Sequence, residues 1–211
     1  MKSDVVLLDS NGGGIDSAFQ QVDAVASYRD LTSKETLRLH LLTEEMLGII
    51  KGIAGDVPAH YWIEDENCPR HFVLHLSSDI IMDLEKRKQL IALTTSGRNS
   101  AAKGITGMLR DFFSKALLSD PSAGMPDYYG SGLAAWGNVD ASAKEPQSDG
   151  SAFYGWSLQQ YKSTVSDRKD QEAASAEAWD ELEKSIVANL ADEVEISIRG
   201  GKVELLVYKT M

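Results

Sequence analysis

The chain has 211 residues, of which 43% are hydrophobic and one is a cysteine, and its formal net charge is −11 at pH 7. This length can bury one sizeable core, but the apolar runs are far shorter than the roughly 20 residues of a membrane-spanning helix, and a single thiol excludes an internal disulfide or a cysteine-rich zinc site. The acidic balance argues against a nucleic-acid partner and against an anionic-membrane surface, because both require clustered lysine and arginine side chains.

The chain begins with a predicted strand and helix. Residues Asp4 to Asp9 form a short apolar run with acidic ends, which is typical of a strand, and Asn11 to Gly14 predict the turn that ends it. Asp16 or Ser17 is expected to cap the following helix. The first four residues lack the pattern of a secretory signal, so we expect a cytoplasmic location.

A second helix is expected to start at Thr32 or Ser33, either of which can cap it. Its apolar residues recur with helical spacing; they are Leu39, Leu42, Met46, Ile49, Ile50 and Ile53. The pattern stops near Gly52 to Gly55, which predicts the end of the helix there.

Two alternating runs, at residues 59–64 and 70–76, predict a hairpin whose turn lies at 65–69. The alternation predicts one core face, which carries Trp62, Phe72, Leu74 and Leu76. His71 and His75 share a face of the second strand, but a separation of about 13 Å is too large for them to bind one metal ion. We therefore expect no metal site in this hairpin.

A basic segment follows the hairpin. Helices are predicted from Met82 to about Leu93 and, after a polar loop at 94–100, on to Leu117 or Leu118. Residues 84–115 carry seven lysine and arginine side chains and two acidic ones, so their charge is +5 and that of the remainder is −16. Because helix N-termini and cations attract anions, the segment from Ser96 to Gly107 is our leading candidate for a phosphate site. The alternative is an ordinary loop with solvated charges.

The next region is predicted to be a loop and then helical. Residues 119–150 contain thirteen glycine, proline and serine residues, a loop composition, and their aromatic residues favour a flap or a docked loop over an inert linker. Residues from about Ala152 to Leu190 have a helical pattern with a predicted break near Thr164 to Asp167. The apolar stripe of this region consists of Trp179, Leu182, Ile186 and Leu190.

The last eighteen residues predict a second hairpin. Apolar and polar residues alternate on both sides of Gly200 and Gly201, which are expected to form a two-residue turn. In this register three apolar pairs share one face: Val194 with Val207, Ile196 with Leu205, and Ile198 with Val203.

The order strand, helix, helix, hairpin, glycine-containing turn into a helix, and closing hairpin resembles that of the anti-sigma-factor serine kinases, a branch of the histidine-kinase-like (GHKL) ATPase superfamily. The resemblance implies an α+β fold, namely a two-layer α/β sandwich with a mostly antiparallel sheet and helices on one face. The chain would be a single domain, 1–211. Residues 4–118 and 194–211 would form the ATPase-like sandwich, and 119–193 a lid-like loop and helical insertion.

The motifs of the family align in part with this chain. Its second helix carries a Glu-x-x-x-Asn motif, onto which Glu44 and Gly48 fall, so the resemblance assigns Glu44 as the catalytic residue. Gly48 stands where the family has the asparagine that helps to hold magnesium. Glu44 shares a helical line with Leu37, Leu41 and Gly48, so we expect it to point towards the interior. The alternative to a catalytic role is a carboxylate that pairs with a base such as Lys51.

The other motifs imply a nucleotide site. The family contacts adenine through an aspartate after the hairpin, where this chain has Asp79, and places a glycine turn under the phosphates, where it has Gly104 and Gly107. The implied nucleotide-binding residues are Asp79, Ser96, Gly97, Arg98, Asn99, Lys103, Gly104 and Gly107.

The resemblance thus implies a cytoplasmic ATP-binding regulatory protein with ATP as ligand, with or without Mg²⁺, and with a protein partner. The chemistry of the family would be kinase activity towards a serine of the partner, so the resemblance leaves open a degenerate ATPase or serine kinase. Binding is expected ahead of phosphoryl transfer, because metal bridging of the β- and γ-phosphates supplies much of the charge stabilisation and Gly48 has no ligand atom. The alternative is a non-catalytic protein–protein interaction module that keeps the fold without nucleotide and docks its partner through Trp136, Trp156 and Trp179.

Overall fold

The computed structural model describes residues 1–9, 13–54, 58–67, 70–79, 109, 153–170, 173–199 and 201–211. Its elements, in chain order, are β1 (Val6–Leu8), α1 (Ile15–Tyr28), α2 (Ser33–Ala54), β2 (Ala59–Asn67), β3 (Arg70–Asp79), β4 (Phe153–Ser157), α3 (Leu158–Arg168), α4 (Ala173–Lys184), α5 (Ile186–Leu190), β5 (Glu193–Arg199) and β6 (Lys202–Thr210). No helix in these ranges is long and apolar enough to cross a membrane.

The described strands form one antiparallel sheet in the order β1-β2-β3-β6-β5-β4. The helices pack on one face of this sheet: Val22 of α1, Leu42 and Met46 of α2, and Val187 of α5 belong to the same hydrophobic cluster as Tyr61, Leu74 and Leu205. The α+β fold that the sequence predicts is therefore confirmed.

The closing hairpin has the predicted register. Val194 pairs with Val207, Ile196 with Leu205 and Ile198 with Val203, and all six side chains are buried. Arg199 pairs with Lys202, so two residues separate the strands, and Gly201 has a φ of 87° that only glycine adopts without strain.

The N-terminal segment reaches β2 through a β-bulge. Lys2 bridges to Glu64, whereas Val6 pairs with Tyr61. The first segment therefore advances four residues between these two pairs while β2 advances three, so the first segment contains one extra residue. An extra residue in one strand changes which side chains face the core. As a result Ser3 and Val6 are both buried, and Lys2 lies over the opposite face of the sheet.

The ends of the first two helices differ from the sequence-based expectation only in detail. Gly14, and not Asp16 or Ser17, is the N-cap of α1, and its φ of 86° continues the tight turn after β1. Thr32 caps α2 as one of the two predicted candidates, because its hydroxyl accepts from Glu35 N at 3.3 Å while the Glu35 carboxylate accepts from Thr32 N at 2.7 Å.

Three predictions about local structure were wrong. Residues 153–157 form β4, which pairs with β5, where a helix was expected. The helices are interrupted at Lys169–Asp170 and at Ser185, not near Thr164 to Asp167. Because of the interruption at Ser185 the predicted apolar stripe is not continuous, and Ile186 is exposed while Leu182 is buried. The β2–β3 strands extend to Asn67 and Arg70, so the turn is shorter than residues 65–69.

Trp62 was assigned to the wrong face. In the β2–β3 register Phe72 pairs with Asp65, Leu74 with Ile63 and Leu76 with Tyr61, so the odd-numbered residues of β2 face the core. Trp62 pairs with His75 on the other face. Phe72, Leu74 and Leu76 were assigned correctly to the core.

A buried ion pair joins the end of α1 to the sheet. Arg29 Nε lies 2.7 Å from Asp65 Oδ2, and Arg29 Nη2 donates to Asp65 Oδ1 at 3.0 Å. The Asp65 side chain is 1% exposed. A guanidinium held by one hydrogen bond and one close charge contact is therefore what makes this carboxylate tolerable on the core face.

Candidate functional site

The outer surface of α2 carries the residue that the sequence assigns as catalytic. Glu44 is exposed, as is Gly48 one turn later, and the buried residues of α2 lie on its other sides at Leu42, Thr43 and Met46. The expectation that Glu44 points into the interior was therefore wrong. The reason is helical phase, since the buried line of α2 runs through Leu39, Leu42, Met46 and Ile49.

The neighbourhood of Glu44 is acidic and open. Within the described ranges Glu44 has no ion-pair partner within 4 Å, so the predicted pairing with Lys51 does not form. The pKa of the neighbouring Glu45 is raised, mainly because Glu45 is partly buried and also because the Glu44 carboxylate lies close to it. A Cβ built at Gly48 would meet no atom within 4 Å. This surface thus has space for a ligand or for a larger side chain.

Asp79 is exposed at the last position of β3, opposite Lys202 of β6. The preceding residue, Ser78, donates its hydroxyl to the carbonyl of Pro58 at 2.7 Å. Pro58 lies four residues after the end of α2, so Asp79 and the C-terminal end of α2 share one end of the sandwich. Glu44 lies ten residues before that end, about 15 Å along the helix axis.

The remaining members of the predicted nucleotide site lie outside the described residues. These are Ser96, Gly97, Arg98, Asn99, Lys103, Gly104 and Gly107. Among the predicted site residues the structure therefore describes Glu44 and Asp79, one on a helix surface and the other at a strand end.

The second notable group of side chains lies on the sheet face that the described helices leave uncovered. The Trp62 indole stacks on the His75 imidazole with ring centroids 4.7 Å apart and an interplanar angle of 10°, and the Lys2 ammonium lies 4.4 Å from the centre of the Trp62 ring. Glu64 joins these groups, because its carboxylate accepts from Trp62 Nε1 at 2.9 Å and lies 3.3 Å from Lys2 Nζ.

His75 is the titratable member of this group. Its Nε2 is buried and has no hydrogen-bond partner among the described residues, although Glu64 Oε2 lies 3.7 Å away. Burial lowers the pKa of His75, and the Glu64 carboxylate opposes this effect. His75 is therefore held towards its neutral form, as expected of a half-buried imidazole.

A parallel row of side chains lies farther along the same face. His71 stacks on Tyr208 with centroids 5.9 Å apart and lies 3.3 Å from Glu66, and the Tyr208 hydroxyl donates to Glu195 at 2.8 Å. Burial raises the pKa of Tyr208. The face of Trp62 could have been predicted from the sequence, because strict alternation along β2 with Tyr61 in the core places Trp62 on the same face as this row.

These groups do not make a metal site. No cluster of three or more histidine, cysteine, aspartate or glutamate side chains suited to a metal ion occurs in the described part of the chain. The Trp62 ring is already in contact with the His75 imidazole and the Lys2 ammonium. The arrangement stabilises the sheet and holds the N-terminal segment.

The tryptophans expected to anchor a protein partner are placed differently. Trp156 is 5% exposed and belongs to the core, so its assignment as a surface anchor was wrong. Trp179 packs partly against the core, donates Nε1 to Glu183 at 2.8 Å and lies under Lys169. Trp136 lies outside the described residues.

Comparisons with known proteins identify no relative. No protein-family model matches the sequence, and neither the curated proteins nor the solved structures include a significant match.

Proposed function

We propose that the chain is a cytoplasmic ATP-binding regulatory protein of the histidine-kinase-like type, which binds nucleotide without transferring phosphate efficiently. The observation that carries this proposal is the one-sided sandwich. The strand, the two helices and the β2–β3 hairpin occur in the order that led to the family resemblance, and the closing hairpin completes the sheet beside β3.

Two placements support the proposal. Glu44 lies on the outer surface of α2, where a bound ligand can reach it, and Asp79 is exposed at the sheet end where α2 also terminates. The basic segment 84–115 comes after β3 in the chain and would supply Arg98 and Lys103 to the phosphates.

Gly48 offers a sharp test of the assignment. A side chain can start there without steric conflict, because a Cβ at Gly48 meets nothing within 4 Å. If the outer surface of α2 faces the phosphates, Gly48→Asn should make ATP binding more dependent on Mg²⁺, whereas Gly48→Ala should not. Equal Mg²⁺ dependence of the two variants would remove α2 from the proposed site.

The basic segment is tested separately. Arg98→Ala combined with Lys103→Ala should weaken ATP binding at least tenfold by isothermal titration calorimetry. The matched control is Lys34→Ala with Lys184→Ala, which removes two exposed lysines and the same total charge. Equal affinities of the two double variants would contradict the assignment of Arg98 and Lys103 to the phosphates.

The alternative function, a non-catalytic interaction module, stays a second proposal, but Trp156 no longer supports it. Because Trp156 is buried in the core, a partner would have to bind elsewhere on the molecule. A protein that bound no ATP or ADP and still bound a protein partner would favour this alternative.

A further inference from the structure

The side of α2 that points away from the sheet carries four residues in line, which we call the outer line of α2. It consists of Lys34, Leu37, Leu41 and Glu44, which follow each other at steps of three and four residues and therefore share one side of the helix. Leu37 is 57% exposed and Leu41 is half-buried. The outer line thus has a basic end, an apolar centre and an acidic end.

Both charged ends of the outer line are available to a partner. Lys34 and Glu44 are exposed, and in the part of the chain that the structure describes their side chains have no ion-pair or hydrogen-bond partner. Glu45, beside Glu44, adds to the negative end. Charges that are already exposed and unpaired lose little solvation when they meet an opposite charge at a surface.

The order of these residues makes the outer line complementary to itself. If two copies of α2 lie antiparallel with Leu37 of each copy opposite Leu41 of the other, Lys34 of each copy faces Glu44 of the other. Four leucines then meet between two ion pairs. The same contacts occur on both sides of the centre, as a two-fold axis requires, and the three- and four-residue spacing is the one by which helices pack at a crossing angle of about 20°.

Other arrangements of two α2 helices bring like charges together. A parallel pair places Lys34 beside Lys34 and Glu44 beside Glu44. An antiparallel pair shifted by two turns along the helix places Leu41 opposite Glu44 and Lys34 opposite Lys51, which is also exposed. Charge and apolar contact therefore agree on one register.

The contact is short, and the whole chain is acidic. The ten steps from Lys34 to Glu44 cover about 15 Å of helix, so the interface is small and the complex weak and reversible. The net charge of −11 on each copy opposes association, but salt at about 0.15 M screens charges that are more than about 8 Å apart. Arg38, which flanks the outer line, is attracted to Glu35 of its own helix.

We propose that the outer line of α2 is a self-association surface, through which two copies of the chain form a weak two-fold dimer with their α2 helices antiparallel. This inference does not rest on the proposed function. Because Glu44 belongs to both sites, a second copy and a nucleotide bound at Glu44 would exclude each other.

The test is sedimentation equilibrium of the full chain without nucleotide, so that its outcome does not depend on ATP binding. The wild type is compared with Leu37→Lys and with the matched control Leu7→Lys, since Leu7 is 59% exposed and lies on β1. Cooperative urea unfolding shows that each variant is folded. We expect the wild type and Leu7→Lys to dimerise with equal dissociation constants, and Leu37→Lys to raise the constant at least tenfold.

Charge reversal tests the register and does not depend on the leucine variants. Lys34→Glu and Glu44→Lys should each raise the dissociation constant at least threefold, because each places like charges opposite each other at both ends. The combined variant should return to the wild-type value, because its pairs form again with the charges exchanged. Glu44→Lys alone makes the chain less acidic, so a loss of association in this variant cannot come from the net charge.

Three results would overturn the proposal. One is a wild type that stays monomeric up to about 0.5 mM, where even a millimolar interaction leaves a measurable dimer. Another is equal weakening by Leu7→Lys and Leu37→Lys. The third is a combined charge variant that associates no better than either single reversal, since the two α2 helices would then not face each other.

Discussion

Arg29 and Asp65 connect the C-terminal end of α1 to the core face of β2 through two contacts, at 2.7 and 3.0 Å. The Asp65 side chain is almost completely buried, and among the described residues the Arg29 guanidinium is the cation in contact with it. The pair therefore fixes the position of the end of α1 against the sheet.

Removal of the guanidinium should strongly destabilise the fold. Arg29→Met leaves a buried carboxylate without its partner, which costs about 3–5 kcal/mol, measured as the free energy of unfolding in urea. Arg29→Met combined with Asp65→Leu should be less destabilised than Arg29→Met alone, because no unpaired charge is left. If the double variant is the less stable of the two, the ion pair is not the reason for the loss.

A buried hydroxyl pair gives a second prediction. Thr43 Oγ1 and Tyr61 Oη lie 2.8 Å apart, and both residues are fully buried. Thr43→Val should cost about 1–3 kcal/mol, because it leaves the Tyr61 hydroxyl without a partner. Adding Tyr61→Phe should recover part of that loss, and two independent, additive losses in urea unfolding would contradict the contact.

Two glycines should respond oppositely to alanine. Gly14 has a φ of 86°, and a Cβ there would clash with the carbonyl oxygen of Leu7, so Gly14→Ala should cost at least about 1–3 kcal/mol. Gly48→Ala lies in an exposed helix interior with open space and should stabilise the protein by roughly 0.5–1 kcal/mol. Thermal unfolding of both variants checks this pair, and shifts of the same sign would contradict it.

The stability of the protein should depend on pH through His75. Burial lowers the pKa of folded His75 below its ordinary value of 6.5, so below about that pH the unfolded chain binds more protons than the folded chain. His75 therefore contributes a loss of stability as the pH falls through 6.5 towards the folded pKa.

The measurement compares the free energy of unfolding of the wild type and His75→Gln at pH 7.5, 6.5 and 5.5. The wild type should lose more stability than the variant over this range. His60→Gln, which removes an exposed imidazole from β2, controls for the loss of a histidine as such. A wild type that gains stability relative to His75→Gln on acidification would show that Glu64, not burial, dominates.

Strong periodicity determined which parts of the fold were predictable. The closing hairpin could be predicted to the residue, because its alternation leaves one register in which the three buried apolar pairs share a face. The α2 boundaries followed from a capping box and a regular apolar line. In contrast, β4 was missed because five residues next to a helix carry too little alternation to reveal a strand that is defined by its pairing with β5.

The candidate site was less predictable for a related reason. Family motifs identify residue types at given spacings, but the direction of the Glu44 side chain depends on which side of α2 packs on the sheet. The buried side of α2 is the one that carries Leu39 and Leu42. The prediction had instead taken the side of Leu41 to be buried. The stack of Lys2, Trp62 and His75 joins three segments of the chain. Its geometry depends on a bulge that no local sequence pattern specified.

Isothermal titration calorimetry of the full wild-type chain with ATP and ADP, with and without Mg²⁺, tests the central claim most directly. We predict binding of ATP that depends only weakly on Mg²⁺, because Gly48 supplies no metal ligand. No binding of ATP or ADP in either condition, by a chain shown to be folded by its cooperative urea unfolding, would contradict the proposed function.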